Sequence, residues 1–193
     1  KWSFVDLADE VPEPVGQVRA RFKNDASLAD LRGPTVCEVI TQQEVKIVEQ
    51  RLGPDPLNPD PKGIESARFI ARAKASKTSI GQLLMNQEVI SGIGNVYRAE
   101  LLFRAKISPY APGNTLPEEV LREIWNDSVD LLQVGVAKGV MITRDELRNK
   151  RPVKSERNYV YKREGLPCLT CGHEVAIDIM ATRKLYFCPS CQK

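Results

Sequence analysis

The sequence contains no apolar run of the roughly 18 residues that a membrane-spanning helix needs. Its opening residues lack the charged, then apolar, then small-residue pattern of a secretory signal peptide. Internal repeats and low-complexity tracts are also absent. These absences exclude a membrane span and a secretory leader within this sequence, so we expect a protein of the cytoplasm.

The sequence does contain enough apolar residues for a folded core. Hydrophobic residues make up 42% of its 193 positions, which suits one large domain or two small ones. The net charge of +3 reflects 28 basic and 25 acidic residues, a balance that does not identify a nucleic-acid binder. Residues 144–163, however, hold eight lysines or arginines against three acids, whereas residues 1–65 lean acidic. A solvated surface is the simplest interpretation of such a run.

The first third of the chain reads as β-rich. The β-branched run TVCEVIT at residues 35–41 predicts a strand, and residues 42–51 predict a short helix. Four prolines and two glycines then fall among the thirteen residues 51–63. Proline density of this kind continues neither a helix nor a central strand. We interpret residues 51–63 as a linker between domains.

Helical spacing dominates from Ile64 to about Lys138. Residues 79–105 predict a helix, a tight turn at Ser91–Gly94 and a second helix beginning at Asn95. A further helix covers 118–138, where a core-facing stripe is predicted for Leu121, Ile124, Trp125, Val129, Leu132 and Val136. Short hairpin-like segments follow at residues 159–162, 175–179 and 185–187, and they are too few to build an apolar core unaided.

Four cysteines supply what these last segments lack. Cys168 and Cys171 form one CxxC pair, and after sixteen residues Cys188 and Cys191 form a second, the spacing of two knuckles around one tetrahedral zinc ion. Four thiolates close the coordination shell, so the ion would fold the hairpin rather than activate water. Two disulfides or an iron–sulfur site are the alternatives.

Two further residues near this pattern have simpler interpretations. Cys37 lies in an apolar run and is expected to be a buried small hydrophobe rather than a ligand. His173, the only histidine, lies two residues after Cys171 and could compete for the metal. A position in the knuckle turn is the simpler role for it.

The glycine turn before Asn95 is a second candidate site. Asn95 is placed to cap the helix that begins there, and the first turn of a helix carries unpaired N–H groups and the positive end of the dipole. Together these features predict a phosphate-binding site. An ordinary helical hairpin with a capping asparagine is the alternative.

Taken together, the segment LLMNQEVISGIGNVYRAELLFRAKISP and the cysteine region, with YVYKREGLPC and ATRKLYFCPSCQ, resemble the formamidopyrimidine-DNA glycosylase and endonuclease VIII family. The resemblance covers residues 52–192. It implies an α+β fold with three parts: the remnant of an N-terminal β-sandwich at 1–50, a helix–two-turn–helix domain at 64–150 after the 51–63 linker, and a zinc finger with a β-hairpin at 151–193. One structural zinc ion and double-stranded DNA with a damaged base or abasic site are the implied cofactor and partner.

Individual residues acquire roles from this resemblance. Asn95 matches an asparagine that binds a DNA phosphate, and Arg183 matches a zinc-finger arginine that grips the phosphates beside the lesion. Tyr161 matches a tyrosine that touches the backbone on the same face, where Lys162 and Arg163 add charge. Solvated side chains, or packing in the case of Tyr161, are the alternatives.

The catalytic group of the family is not found in this sequence. The family uses a mature N-terminal proline as its nucleophile, with a neighbouring glutamate, but this chain begins Lys1-Trp2, and the prolines of EVPEP at 10–14 have acylated nitrogens. We therefore expect a truncated chain, inactive by itself, and assign it no catalytic residue.

The resemblance further implies a monomeric, nucleoid-associated base-excision-repair glycosylase with AP-lyase activity. The segment GVMITRDELRNKRPVKSERNY departs from members that act on oxidised purines, so oxidised pyrimidines or abasic sites are favoured. A non-catalytic, zinc-stapled DNA-binding module is the alternative function.

Overall fold

A computed structural model describes residues 2–6, 11–34 and 36–193. Lys1, Glu10 and Thr35 lie outside the described residues. The chain divides into two compact units, Lys1–Ile47 and Val48–Lys193. Each unit is described by itself.

The first unit contains a three-stranded antiparallel sheet. Its strands are β1 (Trp2–Asp6), β2 (Val18–Lys23) and β3 (Ser27–Arg32), with β3 in the centre. The turn between β2 and β3 forms because the Asn24 side-chain oxygen accepts hydrogen bonds from the N–H groups of Ala26 (2.9 Å) and Ser27 (2.7 Å).

The two faces of this sheet differ in chemistry. Trp2, Phe4 and Phe22 share one face, where Phe4 is 76% and Phe22 62% exposed. Leu28 and Asp30 are buried on the other face. The Arg21 guanidinium donates to Asp30 at 2.7 Å and lowers the pKa of that carboxyl.

The helix predicted for residues 42–51 is confirmed as α1 (Gln42–Arg51). It begins there because Thr41 and Glu44 form a capping box, in which the Thr41 N–H donates to the Glu44 carboxylate at 2.7 Å. The strand predicted for TVCEVIT is wrong for its described part, residues 36–41, which pair with no strand in the part of the chain described. Cys37 is half-buried rather than buried, and its Sγ lies 3.8 Å from the Arg19 carbonyl.

The second unit has a helical core. Its helices are α2 (Ile64–Lys74), α3 (Ile80–Leu83), α4 (Asn95–Arg104) and α5 (Glu118–Lys138), with single 3-10 turns at Gly113–Thr115 and Asp145–Leu147. The fully buried side chains at its centre include Phe69, Leu84, Ile90, Ile93, Leu102, Leu121, Ile124 and Leu131. Helix α5 ends where Gly139 adopts φ 65°, a left-handed conformation that glycine enters without steric cost.

Three details of the predicted elements are wrong. The first helix of the 79–105 pair covers only α3, because the Asn86 side chain accepts a hydrogen bond from the Glu88 N–H and turns the chain. Val136 is 69% exposed, since it lies in the last turn of α5 beyond the core. Residues 159–162 form turns, because their backbone N–H groups bind a side chain instead of a strand.

The proline-rich segment 51–63 packs against the helical unit. Gly53 and Pro54 are buried, and the Gly53 N–H donates to the Gln87 carbonyl at 2.7 Å. The Pro54 carbonyl accepts from the Ser91 N–H at 3.0 Å. The segment therefore supports the turn that precedes α4.

The strands at the C-terminus, β4 (Ala176–Met180) and β5 (Arg183–Phe187), form an antiparallel hairpin. With the helical core, this hairpin confirms the predicted α+β fold. None of the helices in the described ranges is both long and apolar enough to cross a bilayer.

Candidate metal centre and nucleic-acid interface

The C-terminal hairpin closes through a two-residue turn. Met180 pairs with Arg183, and the intervening Ala181 and Thr182 have φ values of 52° and 60°. Positive φ at both central residues matches the right-handed twist of the strands, although it costs energy for residues with a Cβ. This turn holds Arg183 at the exposed start of β5.

The four predicted metal ligands converge at the base of this hairpin. The sulfur atoms of Cys168, Cys171, Cys188 and Cys191 all lie within 4.8 Å of one another. The Cys168–Cys191 and Cys171–Cys188 pairs are 3.9 and 3.5 Å apart. Four ligands about 2.3 Å from a central ion lie roughly 3.8 Å from one another in a tetrahedron, so the spacing fits one metal ion.

These distances do not fit the disulfide alternative for the cysteines. All five are free thiols, and a disulfide requires its sulfurs about 2.05 Å apart. His173 is not among the grouped ligand atoms, and its backbone carbonyl accepts from the Cys168 N–H at 2.7 Å. Hydrogen bonds, first from the His173 N–H and then from Cys191, lower the pKa of the Cys171 thiol to about 6, whereas burial raises the pKa of the Cys188 and Cys191 thiols.

The cysteine region also has a small apolar core. Val160, Val175 and Tyr186 are buried with the thiols of Cys168 and Cys188, and this cluster includes residues of α4. The ring of Phe103 stacks on Tyr159 with centroids 5.3 Å apart. Helix α4 therefore contributes one side to the helical core and the other to the cysteine region.

Gln87 holds the turn that leads into α4. Its side-chain Nε2 donates to the Ile93 carbonyl at 2.9 Å, and its Oε1 accepts from the Gly92 N–H at 3.1 Å. Gly92 has φ 80°, which a residue with a Cβ adopts only with strain. The Ser91 hydroxyl also donates to the Gly53 carbonyl. The N-terminus of α4 is thus fixed before any ligand arrives.

Asn95 is the first residue of α4 and does not cap it. The N-cap is Gly94, without a side-chain hydrogen bond, so the predicted capping role is wrong. The Asn95 Nδ2 donates instead to the Lys184 carbonyl at 2.8 Å, and its Oδ1 accepts from Arg98. The first helical bond runs from the Arg98 N–H to the Gly94 carbonyl, so residues 95–97 present their N–H groups at the helix end.

Arg98 is fully buried and joins α4 to the hairpin. Its guanidinium donates to the carbonyls of Met180 (3.1 Å) and Lys184 (3.2 Å) and to Asn95. Burial, and after it the charge of Arg183, lowers the pKa of Arg98. The exposed Arg183 therefore lies close enough to the buried Arg98 for their charges to repel.

Glu100, also fully buried, holds the segment that enters the cysteine region. Its carboxylate accepts backbone N–H bonds from Tyr159 (2.7 Å), Val160 (2.8 Å) and Tyr161 (2.8 Å), and a hydroxyl bond from Thr143. Burial raises the pKa of Glu100, and these donors act in the opposite direction.

The other predicted DNA contacts follow this segment. The Tyr161 ring packs edge-on against Tyr186 at 5.1 Å, and the Lys162 ammonium lies 5.9 Å from the centre of the Tyr161 ring. Lys162 is exposed, whereas Arg163 is half-buried and donates to the Pro167 carbonyl at 2.9 Å. Lys162 is therefore freer than Arg163 to meet a ligand.

Comparison with known proteins agrees with this geometry. Residues 52–146 match the family model described as the formamidopyrimidine-DNA glycosylase H2TH domain. Endonuclease 8 1 of Mycobacterium tuberculosis is 44% identical over 186 residues, which are 94% of this chain and 68% of that protein. The formamidopyrimidine-DNA glycosylase of Thermus thermophilus is 35% identical over 146 residues, which are 74% of this chain and 54% of it.

Solved structures show the same likeness. The chain superposes on the MutM (Fpg) protein of Thermus thermophilus with a TM-score of 0.72 and 30% identity, covering 93% of this chain and 70% of that one. Lactococcus lactis Fpg bound to DNA containing N7-benzyl-Fapy-dG gives a TM-score of 0.76 at 25% identity, covering 100% and 71%.

The glycine turn, α4 and the four-thiol hairpin thus define a protein of the helix–two-turn–helix class. Within that class, the chain belongs to the formamidopyrimidine-DNA glycosylase and endonuclease VIII family, whose members are DNA glycosylases of base-excision repair. It spans about two thirds of the Mycobacterium relative and about half of the Thermus glycosylase.

Proposed function

We propose that this chain is the DNA-binding portion of a bifunctional glycosylase and AP lyase. The observation that carries the proposal is the hydrogen bond from Asn95 to the Lys184 carbonyl. It joins the N–H groups at the start of α4 to the hairpin that presents Arg183. A helix N-terminus and a guanidinium are both good phosphate donors, and the bond to Lys184 ties this helix N-terminus to the residue that follows Arg183.

The proposed contacts divide between two kinds of donor. Asn95 positions the helix N-terminus, whose backbone N–H groups bind one phosphate, while Arg183 binds a phosphate beside it. Tyr161, Lys162 and Arg163 extend the surface, with Lys162 the principal charge. Phosphate contacts orient a protein on the duplex without reading sequence. We divide the chain into a β-sandwich portion at 1–50, a connecting segment at 51–63, a helical domain at 64–150 and a zinc finger at 151–193.

We assign one zinc ion to the four thiolates. Their spacing suits a tetrahedral ion, and thiolate ligands select zinc over hard cations. Four protein ligands leave no open position for water, so the ion would supply folding energy rather than chemistry.

The chemistry of the whole protein would come from an N-terminal amine, as the family resemblance implies. That amine would attack the sugar carbon, expel the base and form an imine through which the strand is cut. Endonuclease 8 1 is the relative with 44% identity, which favours oxidised pyrimidines or abasic sites as substrates. We propose a monomer that acts on double-stranded DNA in the nucleoid. A non-catalytic DNA-binding module is the second candidate.

Borohydride trapping of the full-length protein tests the proposal. Reduction turns the imine into a stable protein–DNA bond, which is seen as a band of lower mobility. We expect trapping on duplexes with an oxidised pyrimidine or an abasic site, and weaker trapping with an oxidised purine. Binding to each duplex without any trapping would support the non-catalytic module instead.

A further inference from the structure

The basic run at residues 144–163 separates into two groups of cations. Arg144 pairs with Glu146 at 2.6 Å, and Arg148 pairs with both Asp130 (2.5 Å) and Asp145 (2.6 Å). These two guanidinium groups are neutralised by neighbouring acids. The remaining cations of the run face a different environment.

A surface hollow lies where α5 ends and the following loop returns. Its volume is about 680 Å³, and its uncharged lining residues are aliphatic: Ala137, Val140, Ile142, Pro152 and Val153. Four cations also line it: Lys138, Lys150, Arg151 and Arg157. The Arg157 Nε donates to the Pro152 carbonyl at 3.2 Å, which fixes the position of its guanidinium. No acid lines the hollow, and none of its four cations forms an ion pair within the described part of the chain.

A second hollow is lined by residues that follow in the same loop. It has a volume of about 450 Å³ and is lined by Lys154, Ser155, Asn158, Tyr161 and Lys162. Glu156 lies between these residues in sequence, but its carboxylate accepts from the Val153 N–H and lines neither hollow. We call the six cations around the two hollows the cationic strip: Lys138, Lys150, Arg151, Lys154, Arg157 and Lys162.

We propose that the cationic strip binds the phosphodiester backbone of duplex DNA. The phosphates concerned are not those assigned to Arg183 and to the helix N-terminus that Asn95 positions. The inference rests on the proposed DNA binding, because the strip adjoins the Tyr161–Lys162 end of that surface. Six cations spread over two open hollows suit a run of separate phosphates rather than one small anion. Proteins that bind single-stranded DNA stack its bases on aromatic side chains. The uncharged side chains that line the larger hollow are aliphatic instead.

The test compares two variants of the full-length protein that each lose two positive charges. K150Q/R151Q removes two members of the strip. R68Q/R122Q is the matched control, because both arginines are exposed and already paired, Arg68 with Glu65 (2.7 Å) and Arg122 with Glu118 (2.5 Å). Dissociation constants for one duplex are measured from low to high salt. Zinc content and melting temperature check that each variant is folded.

We expect K150Q/R151Q to flatten the slope of log K against log salt by about 0.9 per lost phosphate contact, and to weaken binding about eightfold per contact at 0.1 M salt. The control should keep the slope of the parent. If the parent binds the duplex and K150Q/R151Q keeps the same slope, the strip has no DNA role and only this inference falls. If polyglutamate binds the parent and K150Q/R151Q abolishes that binding alone, the strip is an acidic-peptide site instead. A parent that does not bind duplex DNA overturns the proposed function and the strip with it.

Discussion

The side-chain amide of Asn95 lies 2.8 Å from the backbone carbonyl of Lys184 and donates a hydrogen bond to it. The two residues are far apart in sequence, one at the start of a helix and the other on the second strand of the cysteine hairpin. The same carbonyl also accepts from Arg98 at 3.2 Å. The helix N-terminus and the hairpin are therefore held as one rigid pair.

The four-cysteine cluster predicts one tightly bound zinc ion per chain. The hairpin buries little apolar surface, so the metal should supply much of its folding energy. Elemental analysis of purified protein should give one zinc, and a chelator should unfold the hairpin. C188S should lose the metal, whereas C37S should keep it. Iron in place of zinc, or clearly less than one ion per chain, would contradict the assignment.

Substituting Asn95, which positions the helix N-terminus, or Arg183, the proposed phosphate donor, should weaken binding to duplexes of every sequence. N95A releases the helix end from Lys184, and R183A removes a charge, so R183A alone should flatten the salt slope by about 1. Fluorescence anisotropy over a range of salt concentrations provides the measurement. A salt dependence as steep in R183A as in the parent would mean that Arg183 binds no phosphate.

Substitution of Arg98 should loosen the hairpin from α4. R98M keeps an unbranched apolar stem but removes the buried side-chain donor of the Met180 carbonyl and one of the two side-chain donors of the Lys184 carbonyl, at a cost of about 2–4 kcal/mol. Urea unfolding gives the free energy, and limited proteolysis should show earlier cleavage in the hairpin. R122Q, which alters an exposed ion pair, should change stability by no more than about 1 kcal/mol. Equal stability of R98M and the parent would show that the contacts are dispensable.

The buried carboxyl of Glu100 should make stability depend on pH. Burial raises the folded-state pKa of Glu100 above an unfolded value near about 4.3. Its contribution is therefore complete below the unfolded pKa and is lost as pH rises through the folded-state pKa. The advantage of the parent over E100Q in urea unfolding should shrink as the pH rises above about 4.3 and through the folded-state pKa. An advantage that grows with pH would mean that the four donors outweigh burial.

The two-residue turn of the hairpin should be improved by glycine. Thr182 has φ 60°, and T182G removes a steric cost of about 1–2 kcal/mol. A higher melting temperature of the metal-bound protein is expected. T78G changes the same residue type away from the positive-φ positions and should lower the melting temperature. A T182G variant that melts below the parent would show that the threonine side chain stabilises the turn.

The cysteine cluster and the start of α4 were predictable because their signals are local. Two CxxC pairs specify one site by spacing alone, and the turn before Asn95 carries its own glycines. A β-branched run is a weaker signal, because a strand also needs a partner at the right distance. Residues 36–41 have no such partner in the part of the chain described and form no strand.

Arg98, Glu100 and Gln87 could not be assigned from sequence. Arg98 binds carbonyls near residue 180 and Glu100 binds N–H groups near residue 160, so their partners are distant in the chain. One signal was available in the sequence, because α4 has no continuous polar face. In the structure, residues 97–103 are accordingly all buried. A charged residue in a helix covered on every side must have a buried partner.

The Lys184 carbonyl, shared by Asn95 and Arg98, would make the proposed metal binding and the proposed DNA binding linked equilibria. Loss of the ion would release β5 and move that carbonyl away from the helix. The phosphate site on α4 would then lose its position relative to Arg183, although no residue of that site binds the metal. Thermodynamic linkage is reciprocal. A duplex that contacts both elements would therefore raise the affinity of the cysteines for the ion. The factor would equal the one by which the ion raises the affinity of the protein for DNA.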